Sequence, residues 1–231
     1  MLNTRTNQRV TTSRFKARPL FWVLNLLALT VALLLIHNAV TPSGNGFFAE
    51  TDRHLHNLYR AHAFLGWKPF FEVGSFVGGS FLGVLVLGGV GWLYSRGARQ
   101  QAVTLVLSTL GAWAGATLLK LLFASPRPRV REVTYAISSY GFPSAHAMVA
   151  LAFFGLFAFY LSQEVRRGQL AIWGVTGVIV LWVWLSRVFL GSHWFSDVLA
   201  GYAFGLLWIS GTLWSATRVI QLKRNQERSS E

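Results

Sequence analysis

Residues 170–216, which read LAIWGVTGVIVLWVWLSRVFLGSHWFSDVLAGYAFGLLWISGTLWSA, decide the fold class. They contain two apolar runs separated by a short polar turn, and each run has roughly the 20 residues that a helix needs to cross a bilayer. The same pattern recurs four times upstream. The six candidate spans are Leu20–Asn38, Phe70–Tyr94, Ala102–Phe123, Ser144–Leu161, Leu170–Leu190 and Phe195–Ala216. The sequence therefore predicts an all-α bundle of six transmembrane helices.

The composition agrees with a membrane protein. Hydrophobic residues make up 53% of the chain and charged residues 13%, whereas soluble domains carry roughly 25% charged residues. The formal net charge of +13 raises the question of a nucleic-acid partner. We predict none, because the basic residues are scattered among the apolar spans. The chain has no cysteine, which excludes disulfides, thiol catalysis and cysteine-ligated metals.

The lysine and arginine residues predict the orientation in the membrane, since they favour the cytoplasmic side. Thirteen of them fall in the two tails and in the second and fourth connections, and eight fall on the other side. Both termini of an integral, multi-pass membrane protein are therefore expected in the cytoplasm. We predict a basic cytoplasmic tail at residues 1–19, one membrane domain at 20–217 and a second basic cytoplasmic tail at 218–231.

The first outward connection contains a helix of a different character. Within the polar segment Glu50–Leu65, the residues at helical spacing are Leu55, Leu58, Tyr59 and His62. This one-sided pattern is typical of an amphipathic helix that lies in the membrane interface.

Glycines recur four residues apart in the second and third spans, a spacing that lets membrane helices approach closely. The pairs are Gly74 and Gly78, Gly79 and Gly83, and Gly111 and Gly115. We expect them to pack spans two and three against each other.

Three polar clusters lie at the ends of apolar runs, on the predicted outward side. Ionisable residues beside membrane spans are costly, so they are candidates for function. The first cluster is KLLFASPRP, residues 120–128, in which Pro126 and Pro128 prevent the helix from continuing. Lys120 and Arg127 both suit phosphate oxygens. Each also fits the ordinary role of an interfacial anchor.

The second cluster is GFPSAH, residues 141–146. Ser144 suits the N-cap of the fourth span, and a helix N-terminus attracts anions. His146 falls in the first turn of that helix, within reach of whatever binds there. The alternative is an ordinary helix cap followed by an interfacial histidine.

The third cluster is SRVFLGSHWFSD, residues 186–197, where Gly191 permits a tight turn between the last two spans. His193 and Asp197 are four residues apart and therefore share one face of the sixth helix. A carboxylate there fixes the imidazole tautomer and raises the nucleophilicity of the other nitrogen. Arg187 ends the preceding helix and can reach the same pocket. The alternative is an ion pair that holds helices together.

Together the clusters predict a phosphoryl-transfer site. Three cations suit the several oxygens of a phosphate. One histidine has an orienting carboxylate, as a nucleophile requires, and the second histidine is suited to protonate a leaving oxygen. We expect neither a metal nor a cofactor, because the positive charge of the site would repel a divalent ion.

These motifs resemble the three-part signature of the type 2 phosphatidic acid phosphatase (PAP2) superfamily, which is K-x6-RP, PSGH and SR-x5-H-x3-D. The chain matches each part at the same spacing, with one departure: Ala145 stands where the signature has glycine. The signature covers residues 120–197, and the six-span layout extends the resemblance over most of the chain.

The resemblance implies a role for each residue of the signature. His193 would attack phosphorus and form a phosphohistidine, Asp197 would orient it, and His146 would protonate the leaving oxygen. The phosphoryl oxygens would be bound by Lys120, Arg127, Ser144, Ala145 and Arg187.

The resemblance also implies a metal-independent hydrolase of membrane lipid phosphates that acts at the periplasmic or outer face. Undecaprenyl pyrophosphate, from cell wall biogenesis, is the favoured substrate. Phosphatidic acid or phosphatidylglycerophosphate, from phospholipid metabolism, come next. Two alternatives remain, a lipid A phosphatase or phosphotransferase and a non-catalytic transporter of anionic lipids.

Overall fold

A computed structural model of the protein describes residues 19–40, 46–62, 66–128, 140–165 and 167–229. Within these ranges the regular secondary structure is helical, and one isolated β-bridge joins Pro126 to Tyr140. The helices are α1 (Pro19–Val40), α2 (Ala49–His62), α3 (Lys68–Val77), α4 (Leu82–Ser95), α5 (Arg99–Phe123), α6 (Ala145–Ala150), α7 (Leu156–Glu164), α8 (Gln169–Phe189) and α9 (Phe195–Ser229). A π-helical turn, Leu151–Gly155, joins α6 to α7. The predicted all-α class is confirmed.

The predicted spans correspond to five long apolar helical stretches and one bent pair. The five stretches are Phe21–Val40, Arg99–Phe123, Ala145–Glu164, Gln169–Phe189 and Phe195–Val219. Helices α3 and α4 together form the sixth candidate span, with a bend of 45° between them. The span predicted over Phe70–Tyr94 corresponds to this bent pair, in which the helix is interrupted at residues 78–81.

Adjacent glycines at the interruption explain both the bend and the packing around it. Gly78 and Gly79 are poor helix formers. A Cβ on Gly78 would overlap the side chain of Val183, and one on Gly74 would lie 2.9 Å from Trp182 Nε1. These glycines thus bring α3 directly against α8. The glycine spacing was expected to pack the second span on the third. Those spans do pack together through α4 and α5, but Gly74 and Gly78 contact α8 instead.

Two buried clusters hold the bundle together. In the larger one, Leu105 of α5 and Leu156 of α7 are fully buried among side chains of α4, α6 and α9. The smaller one joins Leu35 of α1, Ala200 of α9 and Phe142, which precedes α6. Phe142 belongs to the GFPSAH motif, so this motif is held in place by packing against α1 and α9. Large apolar side chains on α1, α5 and α8 point outward, as expected for helices facing lipid.

Helix α2 is the amphipathic helix that the sequence predicts within Glu50–Leu65. It spans Ala49–His62, and Leu65 lies outside the described residues. The helix packs against α8 and α9. One face carries Asp52, which is only 7% exposed, whereas Glu50 is exposed to solvent.

Helix α9 continues beyond its apolar part. The candidate span ends at Val219, but the helix runs to Ser229. The segment predicted as a basic tail from residue 218 therefore continues the last span as a helix through Ser229. The tail predicted at 1–19 lies outside the described residues except for Pro19, which begins α1.

Candidate active site

The three polar clusters meet at one end of the bundle. Lys120, in the last turn of α5, donates hydrogen bonds from Nζ to the carbonyl oxygens of Tyr140 (2.7 Å) and Gly141 (3.2 Å). The backbone N–H of Ser144 donates to the carbonyl oxygen of Asp197 over 2.9 Å. The first cluster is thus bonded to the second, and the second to the third.

The chain turns back on itself between the first two clusters. Helix α5 ends at Phe123 and is capped by Ala124, which adopts the left-handed conformation with φ of 44°. The N–H of Gly141 donates to the carbonyl oxygen of Ser125 over 2.6 Å. This pairing continues in the bridge between Pro126 and Tyr140, and it places Arg127 beside the segment that leads into α6.

Backbone carbonyls hold the two cations of the first cluster. Arg127 Nε donates to the Tyr140 carbonyl oxygen (3.1 Å), and Nη1 lies 3.5 Å from the Ser192 carbonyl oxygen. Burial lowers the pKa of Arg127, and the negative charge of Asp197 acts in the opposite direction. Because a carbonyl carries no formal charge, Lys120 and Arg127 are oriented without being neutralised. Their charge remains available to an anion.

Gly141 is a point of close approach between the second and third clusters. A Cβ at this position would lie 2.7 Å from Asp197 Oδ2 and 3.3 Å from the Pro126 carbonyl oxygen. The glycine that begins the GFPSAH motif therefore leaves the space that the Asp197 carboxylate occupies.

Arg187 is fixed from two sides in the last turn of α8. Its Nη1 donates a short hydrogen bond to Ser75 Oγ in α3, and the side chain is buried. Its carbonyl oxygen accepts from the N–H groups of Ser192 (3.1 Å) and His193 (3.3 Å), in a turn where Gly191 has φ of 61°. Ser75 is a partner that the motif spacing did not reveal.

His193 and Asp197 form the predicted pair. His193 Nδ1 lies 3.4 Å from Asp197 Oδ2, and both side chains are almost completely buried. The same oxygen accepts the backbone N–H of Trp194 at 3.0 Å, which fixes the carboxylate. The Nδ1–Oδ2 separation exceeds that of an ordinary hydrogen bond.

The charges around His193 favour its neutral form. Burial, followed by the positive charges of Arg187, Arg127 and Lys120, holds the pKa of His193 well below its usual value of 6.5. A neutral imidazole keeps a lone pair at physiological pH. The residue is therefore in the state that a nucleophile requires.

The second cluster presents the start of a helix. Ser144 is the N-cap of α6, yet its hydroxyl makes no cap bond, is fully buried and has no hydrogen-bond partner in the structure. Ala145 and His146 are the first two helical residues, whose N–H groups have no acceptor within the helix. Gly201 allows α9 to approach the backbone here, since a Cβ on it would overlap Ala147.

His146 lies against the bend of the second span. A Cβ on Gly79 would overlap His146 Nε2, so the interruption between α3 and α4 leaves the space that this ring occupies. His146 is also within electrostatic range of His193. The structure thus brings all eight predicted site residues into one region, and it adds Ser75, Gly79 and the Tyr140 carbonyl.

No group of three or more His, Asp or Glu side chains that could hold a metal ion occurs within the five ranges that the structure describes. The acceptors that bind the site's donors in the described residues are carbonyl oxygens, the hydroxyl of Ser75 and the carboxylate of Asp197. The arrangement suits an anion with several oxygens.

The fold and this set of side chains define a multi-span membrane protein with buried cationic and histidine side chains gathered at one end. The family model described as the PAP2 superfamily matches residues 101–221. The matched region is more than half of the chain and includes all eight site residues predicted from the sequence. The chain belongs to the PAP2 superfamily.

Curated relatives carry phosphatase names. The chain is 37% identical to phosphatidylglycerophosphatase B of Bacillus subtilis over 73 residues, which is 30% of this chain and 36% of that protein. It is 31% identical to a putative undecaprenyl-diphosphatase of Escherichia coli over 125 residues, covering 50% and 58%. It is 31% identical to a lipid A 1-phosphatase of Rhizobium etli over 137 residues, covering 51% and 55%. The chain thus spans about a third to somewhat over half of these relatives' lengths.

A solved structure shares the fold. The transmembrane PAP2 type phosphatidylglycerolphosphate phosphatase from Bacillus subtilis superposes with a TM-score of 0.71 at 22% sequence identity. The match covers 86% of this chain and 96% of that one. The arrangement of helices is therefore that of a transmembrane PAP2 protein.

Proposed function

We propose that the protein is a membrane lipid phosphatase that works through a phosphohistidine intermediate. The observation that carries the proposal is the convergence of three cations, Lys120, Arg127 and Arg187, on the buried pair His193 and Asp197. This set has a net positive charge, because it contains three cations and one carboxylate. The excess positive charge suits a phosphoryl group, whose transfer depends chiefly on positioning and on stabilising charge.

The first step forms a bond between a His193 nitrogen and phosphorus. Asp197 faces Nδ1 and would accept its proton in a hydrogen bond, which leaves Nε2 with the attacking lone pair. The bond from phosphorus to the leaving oxygen breaks, and its electron pair stays with that oxygen. The leaving oxygen is the ester oxygen of a phosphomonoester or the bridging oxygen of a pyrophosphate. His146, when protonated, would give a proton to the leaving oxygen.

The second step regenerates the protein. Water attacks the phosphohistidine, its proton passes to His146, and the phosphorus–nitrogen bond breaks to release inorganic phosphate. The same histidine thus acts as an acid in the first step and as a base in the second.

Charge on the phosphoryl oxygens would be stabilised by the three cations and by the start of α6. The unpaired hydroxyl of Ser144 is buried at that end of the helix, beside the N–H groups of Ala145 and His146. Donors that are already in place when charge develops are the most effective form of electrostatic stabilisation.

We further propose that the site opens to the periplasmic or outer face of the cytoplasmic membrane, with both termini in the cytoplasm. The support is the excess of Lys and Arg in the tails and in the second and fourth connections. A lipid tail would remain among the spans while its headgroup enters the polar end of the bundle.

For the substrate we propose undecaprenyl pyrophosphate first, and phosphatidic acid or phosphatidylglycerophosphate next. The names of the relatives in Escherichia coli and Bacillus subtilis support these candidates. The name of the Rhizobium etli relative supports a lipid A phosphate as the alternative.

The experiment is phosphate release by the purified protein in detergent with EDTA. Undecaprenyl pyrophosphate, phosphatidic acid, phosphatidylglycerophosphate and lipid A are compared, with His193→Ala as the control. We expect release that survives EDTA and disappears in the variant, while the variant keeps the wild-type melting temperature. The mechanism would be refuted if EDTA abolished phosphate release, or if release persisted in His193→Ala. Absence of release from all four lipids would favour a phosphotransferase or a non-catalytic lipid transporter.

A further inference from the structure

Helix α2 carries one acidic side chain that is buried although the helix lies at the edge of the bundle. Asp52 is 7% exposed, and Glu50, two residues earlier, is exposed. Burying a carboxylate is costly unless hydrogen bonds compensate. Burial raises the pKa of Asp52, and hydrogen bonds from Ser196 act in the opposite direction. The position of Asp52 therefore has to be explained by its partners.

Those partners belong to the first turn of α9. Asp52 Oδ1 accepts the backbone N–H of Ser196 at 2.9 Å, and Oδ2 accepts the Ser196 hydroxyl at 2.6 Å. The first N–H groups of a helix have no acceptor within it, and negative charge is favourable there. Asp52 thus caps α9 from another helix. Ser196 immediately precedes Asp197 and follows His193 by three residues.

A second contact lies on the same face of α2. His56 follows Asp52 by four residues, so the two side chains are neighbours on the helix surface. The His56 ring packs against Trp194, with 5.4 Å between ring centroids. The N–H of Trp194 donates to Asp197 Oδ2. Helix α2 therefore touches both residues that flank the start of α9, on either side of Phe195.

The end of α1 supports this arrangement. Asn38 Oδ1 accepts the backbone N–H of Phe48 at 2.8 Å, just before α2 begins. Asn38 Nδ2 lies 3.4 Å from Ser196 Oγ. One side chain of α1 thus connects the start of α2 to the residue that Asp52 binds.

We propose that Asp52 is a positioning residue for the reaction: its two hydrogen bonds to Ser196 fix the start of α9 and so set the separation of His193 from Asp197. This inference rests on the proposed phosphatase function. The physical reason is that Ser196 and Asp197 are adjacent in one helical turn. A shift of the first moves the second.

The proposal predicts a particular kinetic signature. Loss of the two hydrogen bonds between Asp52 and Ser196 should lower kcat and leave KM almost unchanged, because Asp52 acts through the pair His193 and Asp197. Misplacement by about 1 Å can cost as much as 10²-fold, and we expect Asp52→Ala to lose at least tenfold in kcat. Asp52→Asn keeps an acceptor for the Ser196 N–H, and its amide can donate to the Ser196 hydroxyl. It should therefore retain kcat within about threefold of wild type.

The experiment measures kcat and KM of Asp52→Ala, Asp52→Asn and Ser196→Ala, with Glu50→Ala as the matched control on the same helix. Ser196→Ala removes one of the two hydrogen bonds, so an intermediate loss of kcat is expected, and Glu50→Ala should equal wild type. Wild-type kcat in Asp52→Ala, equal losses in Ala and Asn variants, or an effect on KM alone would overturn the proposal.

A second measurement does not depend on activity. Hydrogen–deuterium exchange of the amides at 195–198 should accelerate in Asp52→Ala and stay at the wild-type rate in Asp52→Asn, Glu50→Ala and His193→Ala. If exchange in Asp52→Ala is unchanged, Asp52 does not fix the start of α9, and this conclusion holds even if no lipid is hydrolysed. Failure of wild type to release phosphate would instead refute the proposed function. If Asp52→Ala does not fold, Ser196→Ala provides the same comparison with one hydrogen bond intact.

Discussion

Gly79→Ala is a change of one methyl group that should act on catalysis far more than on stability. Gly79 lies in the interruption between α3 and α4, and an added Cβ would overlap Nε2 of His146. It would also lie 3.0 Å from His146 Cδ2 and from the carbonyl oxygen of Ser75. The Ser75 backbone can give only a few tenths of an ångström. The imidazole is the end of a side chain and is the group that must move.

The size of the movement gives the expected loss of rate. Non-bonded heavy atoms settle at roughly 3.5–4.0 Å, so the ring has to retreat by about 1 Å. Displacement of a catalytic group by about 1 Å can cost about 10²-fold in rate, which corresponds to about 2.7 kcal/mol in activation free energy. We therefore expect kcat of Gly79→Ala to fall by about 10²-fold.

The assay is phosphate release at saturating lipid, together with a thermal unfolding curve. Gly83→Ala is the matched control, because a Cβ on Gly83 meets nothing within 4 Å. It should keep wild-type kcat and gain slightly in stability, by up to about 1 kcal/mol, since alanine is the better helix former. The double variant Gly79→Ala/His146→Ala should be no slower than His146→Ala alone, because the loss acts through that ring. A Gly79→Ala protein with kcat within twofold of wild type would refute the reasoning.

Three further predictions follow from the site. Asp197→Asn should lower kcat by about 10²–10⁴-fold, since the amide no longer fixes the His193 tautomer, and a fully active variant would remove the orienting role. Ser75→Ala should lower kcat/KM roughly tenfold, because a hydrogen bond to the charged Arg187 contributes about 1.5 kcal/mol or more, and an unchanged value would show that Arg187 needs no partner. Below about pH 6.5 the unfolded chain protonates His193 while the native state, whose pKa for this residue is lowered by burial and nearby cations, does not. Stability therefore falls on acidification, and the melting temperature of wild type should drop more between pH 7 and pH 5 than that of His193→Gln, whereas equal drops would contradict the lowered pKa.

Much of the site was predictable because its residues occur at fixed spacings around helix ends. His193 and Asp197 are four residues apart, so helical geometry alone places them on one face. Pro126 and Pro128 end a helix for steric reasons that operate in any context. Such local rules predicted the pairing of His193 with Asp197 and the positions of the cations without a structure.

The contacts that position these residues were not predictable in this way. Ser75 and Arg187 are separated by 112 positions, and Asp52 and Ser196 by 144. Serine and aspartate are ordinary residues at a helix surface, so nothing local marks them as partners. The carbonyl oxygen of Tyr140, which binds two cations, is invisible to sequence analysis because every residue has one.

The interruption of the second span shows a different limit. Gly78 and Gly79 are equally consistent with close packing of a continuous helix and with an interruption of the helix. The hydropathy of the segment does not distinguish these two alternatives. Tertiary contacts decide between them, because Val183 occupies the space beside Gly78 and His146 occupies the space beside Gly79. The sequence shows the two glycines but not which distant residues pack beside them.

The binding of Lys120 and Arg127 by carbonyl oxygens has a consequence for turnover. The charge of cations paired with carboxylates would be largely offset, whereas the hydrogen-bond partner of these two is a neutral carbonyl oxygen. In the proposed mechanism, inorganic phosphate released from His193 would meet the same positive field that attracts the lipid headgroup. We therefore expect free phosphate to compete with substrate, and the departure of the product, not only the cleavage of the ester, to contribute to the rate of each cycle.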